Sequence, residues 1–154
     1  PNSFLRTTFI VGHPEESSQE FTELLNFVKQ YPFDRANVFS YSNEEDTSAY
    51  GLSNQIADNI INNRATLLGD AISYKTTQNI KNLVGKTIDI VIDGVSEEHE
   101  YLLSAKALLW APDIDGEIYV NDTSDSNIEY GRIYQAKITD TAGDKPLCTL
   151  IIND

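Results

Sequence analysis

The 154-residue sequence has no methionine, one cysteine, one tryptophan and few basic side chains. A single cysteine excludes an internal disulfide. It also excludes any zinc site or iron–sulfur cluster built from several thiolates of this chain. Apolar residues nowhere continue for the ~18 positions that a membrane-spanning helix needs. A basic start, an apolar stretch and a small-residue cleavage site are likewise missing, so nothing marks a secretory leader. With no disulfide to protect, a cytoplasmic setting is the expectation. Eleven Lys and Arg face 24 Asp and Glu, a net charge of −13. A field of that sign repels phosphate backbones and anionic lipid. It disfavours nucleic-acid and membrane partners and suits a basic protein. The lack of methionine, and an apolar strand beginning almost at Pro1, point to a piece excised from a longer chain.

What is present divides by hydrophobic period. Phe4 to Gly12 is a near-continuous apolar run that ends in Gly-His-Pro, and it predicts a buried strand. Ser17 or Ser18 can cap the following helix, with Glu20 placed to complete a capping box from Ser17. Phe21, Leu24, Leu25 and Val28 recur at helical spacing before Pro32 stops the pattern. Ala36 to Tyr41 predicts a second buried strand. Strand, helix and strand, with both strands apolar throughout, is the pattern of a parallel βαβ unit. The loops after the two strands then lie where parallel α/β folds place ligands. A long helix over about 55–83 follows, marked by Ile56, Ile60, Ala65, Leu68, Ile72 and Ile80, weakened at Gly69 and terminated at Gly85.

Beyond Gly85 the period is two. Ile88, Ile90 and Ile92 alternate with Asp89, Val91 and Asp93 until Gly94, which is expected to turn the chain. Tyr101, Leu103, Ala105, Ala107 and Leu109 alternate in the same way. Asp115-Gly116 is a favoured turn pair before Ile118-Tyr119-Val120, and 133–138 and 147–152 complete five short strands. Five strands in about seventy residues predict a small antiparallel barrel of the oligonucleotide/oligosaccharide-binding type. The fold class is thus α/β followed by all-β, divided as 1–82 and 83–154. The first part carries a net −4 and the second −9. Such barrels often bind nucleic acid through basic grooves and stacking aromatics, and this one has the aromatics with the wrong charge. Cys148, in an apolar strand, reads as a core residue. His13, His99 and the run Glu44-Glu45-Asp46 read as loop or solvated positions, not as metal ligands.

Three stretches resemble one family. Leu5-Arg6-Thr7-Thr8-Phe9-Ile10-Val11-Gly12-His13-Pro14-Glu15-Glu16 resembles the L-R-T-T-F-I-V-G-F-P-G-E strand and loop of radical S-adenosylmethionine methylthiotransferases. Residues 34–47, from Asp34-Arg35-Ala36 to Glu45-Asp46-Thr47, are similar to D-R-V-x-V-F-x-Y-S-x-E-E-G-T in the same proteins. Ala111 to Asn121 is similar to A-P-E-I-D-G-x-V-Y-x-N in their C-terminal TRAM domain, in the form found in the RimO branch. The resemblance implies the last βαβ portion of a radical-enzyme barrel, a connecting helix and a TRAM domain.

The resemblance also implies an activity: methylthiolation of an aspartate β-carbon in the twelfth small-subunit ribosomal protein. It implies S-adenosylmethionine and two iron–sulfur clusters in the intact enzyme. The cluster cysteines, in C-x-x-x-C-x-x-C spacing, lie outside the matching region, so this chain alone is expected to be inactive. Carried over, Thr8, Gly12, Glu16, Phe39 and Tyr41 are expected to border the cofactor. His13 and Glu15 depart from the family's Phe and Gly, and Glu15 disfavours a positive φ at that position. Asp113, Asp115 and Glu117 are expected to border a docking surface for a basic ribosomal protein. Two other readings are a noncatalytic module that binds RNA or protein, and a tRNA-modifying member of the same family. The second of these calls for a basic TRAM surface, which this sequence lacks.

Overall fold

A computed structural model describes residues 3–31, 33–111, 114–121 and 128–151. The chain forms two compact units, Leu5–Thr76 and Thr77–Asp154, the latter joined by Pro1–Phe4. In the first unit β1 (Arg6–Val11) and β2 (Arg35–Ser40) pair in parallel, with Phe9 beside Val38 and Ile10 beside Phe39. Between them runs α1 (Ser18–Gln30), followed later by α2 (Asp58–Lys81). Ser17 caps α1 as the sequence predicts. Its hydroxyl accepts the Glu20 N–H at 3.1 Å and its own N–H donates to the Glu20 carboxylate at 2.7 Å. Such a cap contributes about 1 kcal/mol.

One face of the two strands is packed. Val11, with Phe9, Ala36 and Val38, meets Phe21 and Val28 of α1 and Leu68 and Ile72 of α2. Side chains alternate along a strand, so Thr8, Ile10, Asn37 and Phe39 share the opposite face. That face is open: Ile10 is 59% and Phe39 60% exposed. The packed stripe of α2 holds Ala65, Leu68 and Ile72 as the sequence predicts, with Arg64 beside them; only its first turn differs, because Ile61 is buried in place of the expected Ile60, and Ile56 precedes the helix.

In the second unit β3 (Thr87–Val95), β4 (Leu103–Ala107), β5 (Ile118–Val120), β6 (Ile133–Ala142) and β7 (Lys145–Leu150) close a barrel in the order β3-β4-β5-β7-β6. Neighbours are antiparallel except β5 and β7, which run parallel. Ile90, Ile92, Ala105, Ile118, Val120, Ala136, Ile138 and Cys148 fill the interior. Trp110 closes it, with Phe4 packed on its ring at 6.4 Å between centroids. Cys148 is fully buried, and burial pushes its thiol pKa up to about 12, so it is a packing residue.

Two glycines act differently from the sequence expectation. Gly94 does not turn the chain. It lies inside β3 beside a register shift between Ile92 and Gly94, where a glycine accommodates a bulge and the strand continues to Val95. Gly85 (φ +86°) follows the last turn beyond α2, but its N–H donates to the Ile138 carbonyl at 2.8 Å. It therefore extends the β3–β6 ladder rather than closing the helix.

Gly69 is the weak point of α2. A methyl group there would meet only Val38 Cγ1, at an ordinary 3.7 Å. Gly69→Ala should therefore raise unfolding stability by about 1 kcal/mol, the helix-propensity difference. A higher urea midpoint at unchanged slope is the expected result, and an unchanged or lower midpoint contradicts it.

Candidate functional site

The loop between β1 and α1 leaves the carboxyl end of the strand pair. Its path begins at Gly12, whose φ is +87° and whose Cβ position would fall 2.6 Å from Ile61 Cγ1. Only glycine fits both demands. The close approach that Gly12 permits is thus to the side chain of α2, where the sequence suggested a ligand. Glu16 N–H turns back to the His13 carbonyl at 3.0 Å. Glu15 holds φ +74° although it replaces the family's glycine, so the left-handed turn survives the substitution at a steric cost of about 1–2 kcal/mol. Its N–H reaches the Asn54 carbonyl at 3.3 Å, and Ser53 Oγ donates to its carboxylate at 3.4 Å.

Glu16 is the hub of the loop. One carboxylate oxygen accepts the Gly12 N–H at 3.0 Å, and the other accepts Arg64 Nη1 at 2.5 Å. The same Nη1 also donates to the Glu16 backbone carbonyl at 3.0 Å. Arg64 is buried, with its guanidinium over the Phe21 ring at 5.4 Å. Both Glu16 oxygens are therefore engaged inside the protein. The carboxylate shapes the loop. Arg64 was missed because a charge on a helix reads as solvent-facing. The available signal was its position three residues after Ile61 and four before Leu68, on the buried stripe.

Thr8 and Phe39 share the open face of the strand pair. Tyr41 continues β2: its N–H reaches the Val11 carbonyl at 2.8 Å and its hydroxyl donates to Asn43 Oδ1 at 3.0 Å. The His13 ring meets the Tyr41 ring edge-on at 5.3 Å. The structure thus brings Thr8, Phe39 and Tyr41 to one sheet and its carboxyl end, with a donor hydroxyl and an accessible aromatic face. Among the described residues no group of His, Cys, Asp and Glu could hold a metal. With the only cysteine in the barrel core, the chain does not fit an iron–sulfur cluster.

The barrel unit carries a separate charged groove of about 620 Å³, lined by Asp93, Glu97, Glu98, Ser104, Lys106, Glu117 and Lys145. Lys145 Nζ donates to Glu98 at 2.7 Å, to Tyr119 Oη at 2.9 Å and to Glu117 at 3.0 Å. Tyr119 in turn donates to Glu98 at 2.6 Å. Hydrogen bonds from Lys145, then Tyr119, hold the Glu98 carboxyl below its ordinary value. Burial pushes Glu117 up, but the Ser104 and Lys145 hydrogen bonds outweigh it and the net shift is downward. The bond to Glu98, reinforced by Tyr119, holds Lys145 well above the usual lysine range. Burial, then the bond to Glu98, raises the Tyr119 phenol.

Of the three expected docking residues, Glu117 lines this groove. Asp115 does not: it is 4% exposed and its carboxylate accepts the Ala111 N–H at 2.7 Å. It builds the turn before β5 and presents no charge to a partner. Asp113 lies outside the described residues.

Residues 84–146 match the TRAM domain family. Over nearly its whole length the chain is similar to proteins named ribosomal protein uS12 methylthiotransferase RimO. It is 53% identical to that of Sulfurovum sp. (strain NBC37-1) over 151 residues and 53% identical to that of Aliarcobacter butzleri over 154, covering 98% of this chain in each case. The Sulfurimonas denitrificans protein is 52% identical over 145 residues. The chain belongs to the RimO family. It corresponds to a C-terminal portion and spans about a third of the relatives' length, 34% of the first two and 33% of the third. The α/β unit followed by a closed five-stranded barrel is the fold class that the RimO-like motifs implied. Among the described residues no helix is long and apolar enough to cross a membrane.

The acid side of the groove network is testable. Carboxyls held below the ordinary glutamate value of 4.5 stabilise the fold above that pH and lose the contribution as pH falls through it. Lys145, held above 10.5, keeps its contribution at all lower pH and loses it only in strong alkali. The thermal midpoint should therefore drop between about pH 6 and about pH 3, and Lys145→Met should make that drop smaller. Equal acid sensitivity in the two proteins would contradict the assignment.

Proposed function

We propose that this chain is the C-terminal part of an enzyme that methylthiolates the β-carbon of an aspartate in ribosomal protein uS12. The observation that carries the reading is 53% identity to RimO proteins across both units. The bound cofactors, S-adenosylmethionine and two iron–sulfur clusters, supply the radical and sulfur chemistry, with every cluster ligand outside this chain. The residues here do three other things. The open face with Thr8 and Phe39, and Tyr41 beyond it, forms one wall of the S-adenosylmethionine pocket. Glu16 and Gly12 fix the loop beside that wall. The barrel unit receives the substrate. By itself the chain is inactive, because its one thiol is buried in the barrel core.

Charge supports the docking role. Residues 83–154 carry a net −9, and the groove is lined by four carboxylates against two lysines. Opposite charge steers a cationic polypeptide to such a surface and repels RNA. The tRNA-modifying and RNA-binding alternatives lack this support. Reversing Asp93 and Glu97 to Lys in the intact enzyme, with the Lys145 cluster left in place, should slow association of uS12 about tenfold at low salt and hardly at all at high salt. Stopped-flow association rates at two ionic strengths test this. An unchanged low-salt rate removes the docking surface, and tight, salt-sensitive binding of transfer RNA favours the alternative.

A further inference from the structure

We infer that Arg64 is the positioning residue for the β1–α1 loop, holding it in its ligand-ready shape through Glu16. The ligand half of this inference rests on the cofactor reading above. The loop half stands on geometry alone.

Three hydrogen bonds converge on the loop. Arg64 Nη1 binds the Glu16 side chain and the Glu16 carbonyl, and the second Glu16 oxygen binds the Gly12 N–H. The guanidinium thus fixes the end of the loop directly and its beginning through one carboxylate. Ile61, three residues earlier on the same helix, fills the space that a side chain at position 12 would occupy. One face of α2 therefore moulds the segment from both sides.

A purely stabilising role accounts for this poorly. The helices already pack on the strands through Val28, Phe21, Leu68 and Ile72. An ion pair as buried as this one, with side chains 8% and 14% exposed, gains little net stability over an apolar pair of the same size. What it does supply is direction. The loop contains two left-handed residues, Gly12 and Glu15, and the second is strained. Such a shape persists only where its surroundings over-determine it. The outward side then presents His13, against Tyr41, at the carboxyl end of the parallel strands, where α/β folds bind ligands.

Glu16→Gln and Arg64→Lys preserve size and some hydrogen bonding, whereas Arg64→Met removes the donors. Amide hydrogen exchange on the 154-residue chain reads the loop. The Gly12 amide should exchange about tenfold faster in Arg64→Met, and less so in Arg64→Lys, beyond whatever acceleration the loss of global stability gives the amides inside β1 and α2. In the intact enzyme, equilibrium binding of S-adenosylhomocysteine should weaken by about tenfold in Arg64→Met and by an intermediate factor in Arg64→Lys. Should Arg64→Met fail to fold, Arg64→Lys and Glu16→Gln carry the same comparison. An unchanged Gly12 amide, or one accelerated no more than the amides inside β1 and α2, overturns the clamp. A faster Gly12 amide with unchanged affinity overturns its role in the ligand site. If Thr8→Ala and Phe39→Ala also leave the affinity unchanged, the cofactor reading itself fails.

Discussion

The contact between Arg64 and Glu16 organises the first unit. A guanidinium buried on the inner stripe of α2 must find oxygen acceptors, and it finds them in one residue of the β1–α1 loop. That demand fixes where Glu16 stands, and Glu16 in turn captures the Gly12 N–H. Gly12 can lie against Ile61 only because it has no side chain, so the glycine, the ion pair and the helix stripe form one mutually dependent arrangement. The capped start of α1 at Ser17 follows immediately, and the strand pair ends on the same side.

The two faces of the strand pair then have different tasks. The helical side is closed by apolar packing. The other side leaves Ile10 and Phe39 exposed, an unusual state for parallel strands, which are normally buried on both faces. The barrel unit is built on another logic. Among the described residues its core cluster is apolar, its five strands close on themselves, and Lys145 keeps two carboxylates and a tyrosine in register on the surface.

Much of this was legible in the residues. Continuous apolar runs identified β1 and β2, Ser17 and Glu20 announced the start of α1, and the change of period after Gly85 marked where the barrel strands begin. What was not legible depended on tertiary partners. At the start of α2 the approach of Gly12 selects Ile61 over Ile60, whereas Ala65, Leu68 and Ile72 pack as the helical period predicts. Arg64 was invisible because charge on a helix is read as solvent-facing unless its acceptor, here 48 residues away, is known. Asp115 was taken for a surface charge, whereas a short acidic side chain can equally fold back to bind the Ala111 N–H. Glu15 shows the limit of reading backbone from residue type, since it takes a left-handed conformation that its side chain disfavours.

A double-mutant cycle tests the central ion pair most directly. Glu16→Gln, Arg64→Met and the double variant are compared by urea unfolding at neutral pH. A buried, hydrogen-bonded pair that shapes its surroundings should show a coupling energy of about 2 kcal/mol or more, with each single change costing more than half of the double. Additivity within about 0.5 kcal/mol would mean that the two side chains act independently, and the loop would then need another explanation.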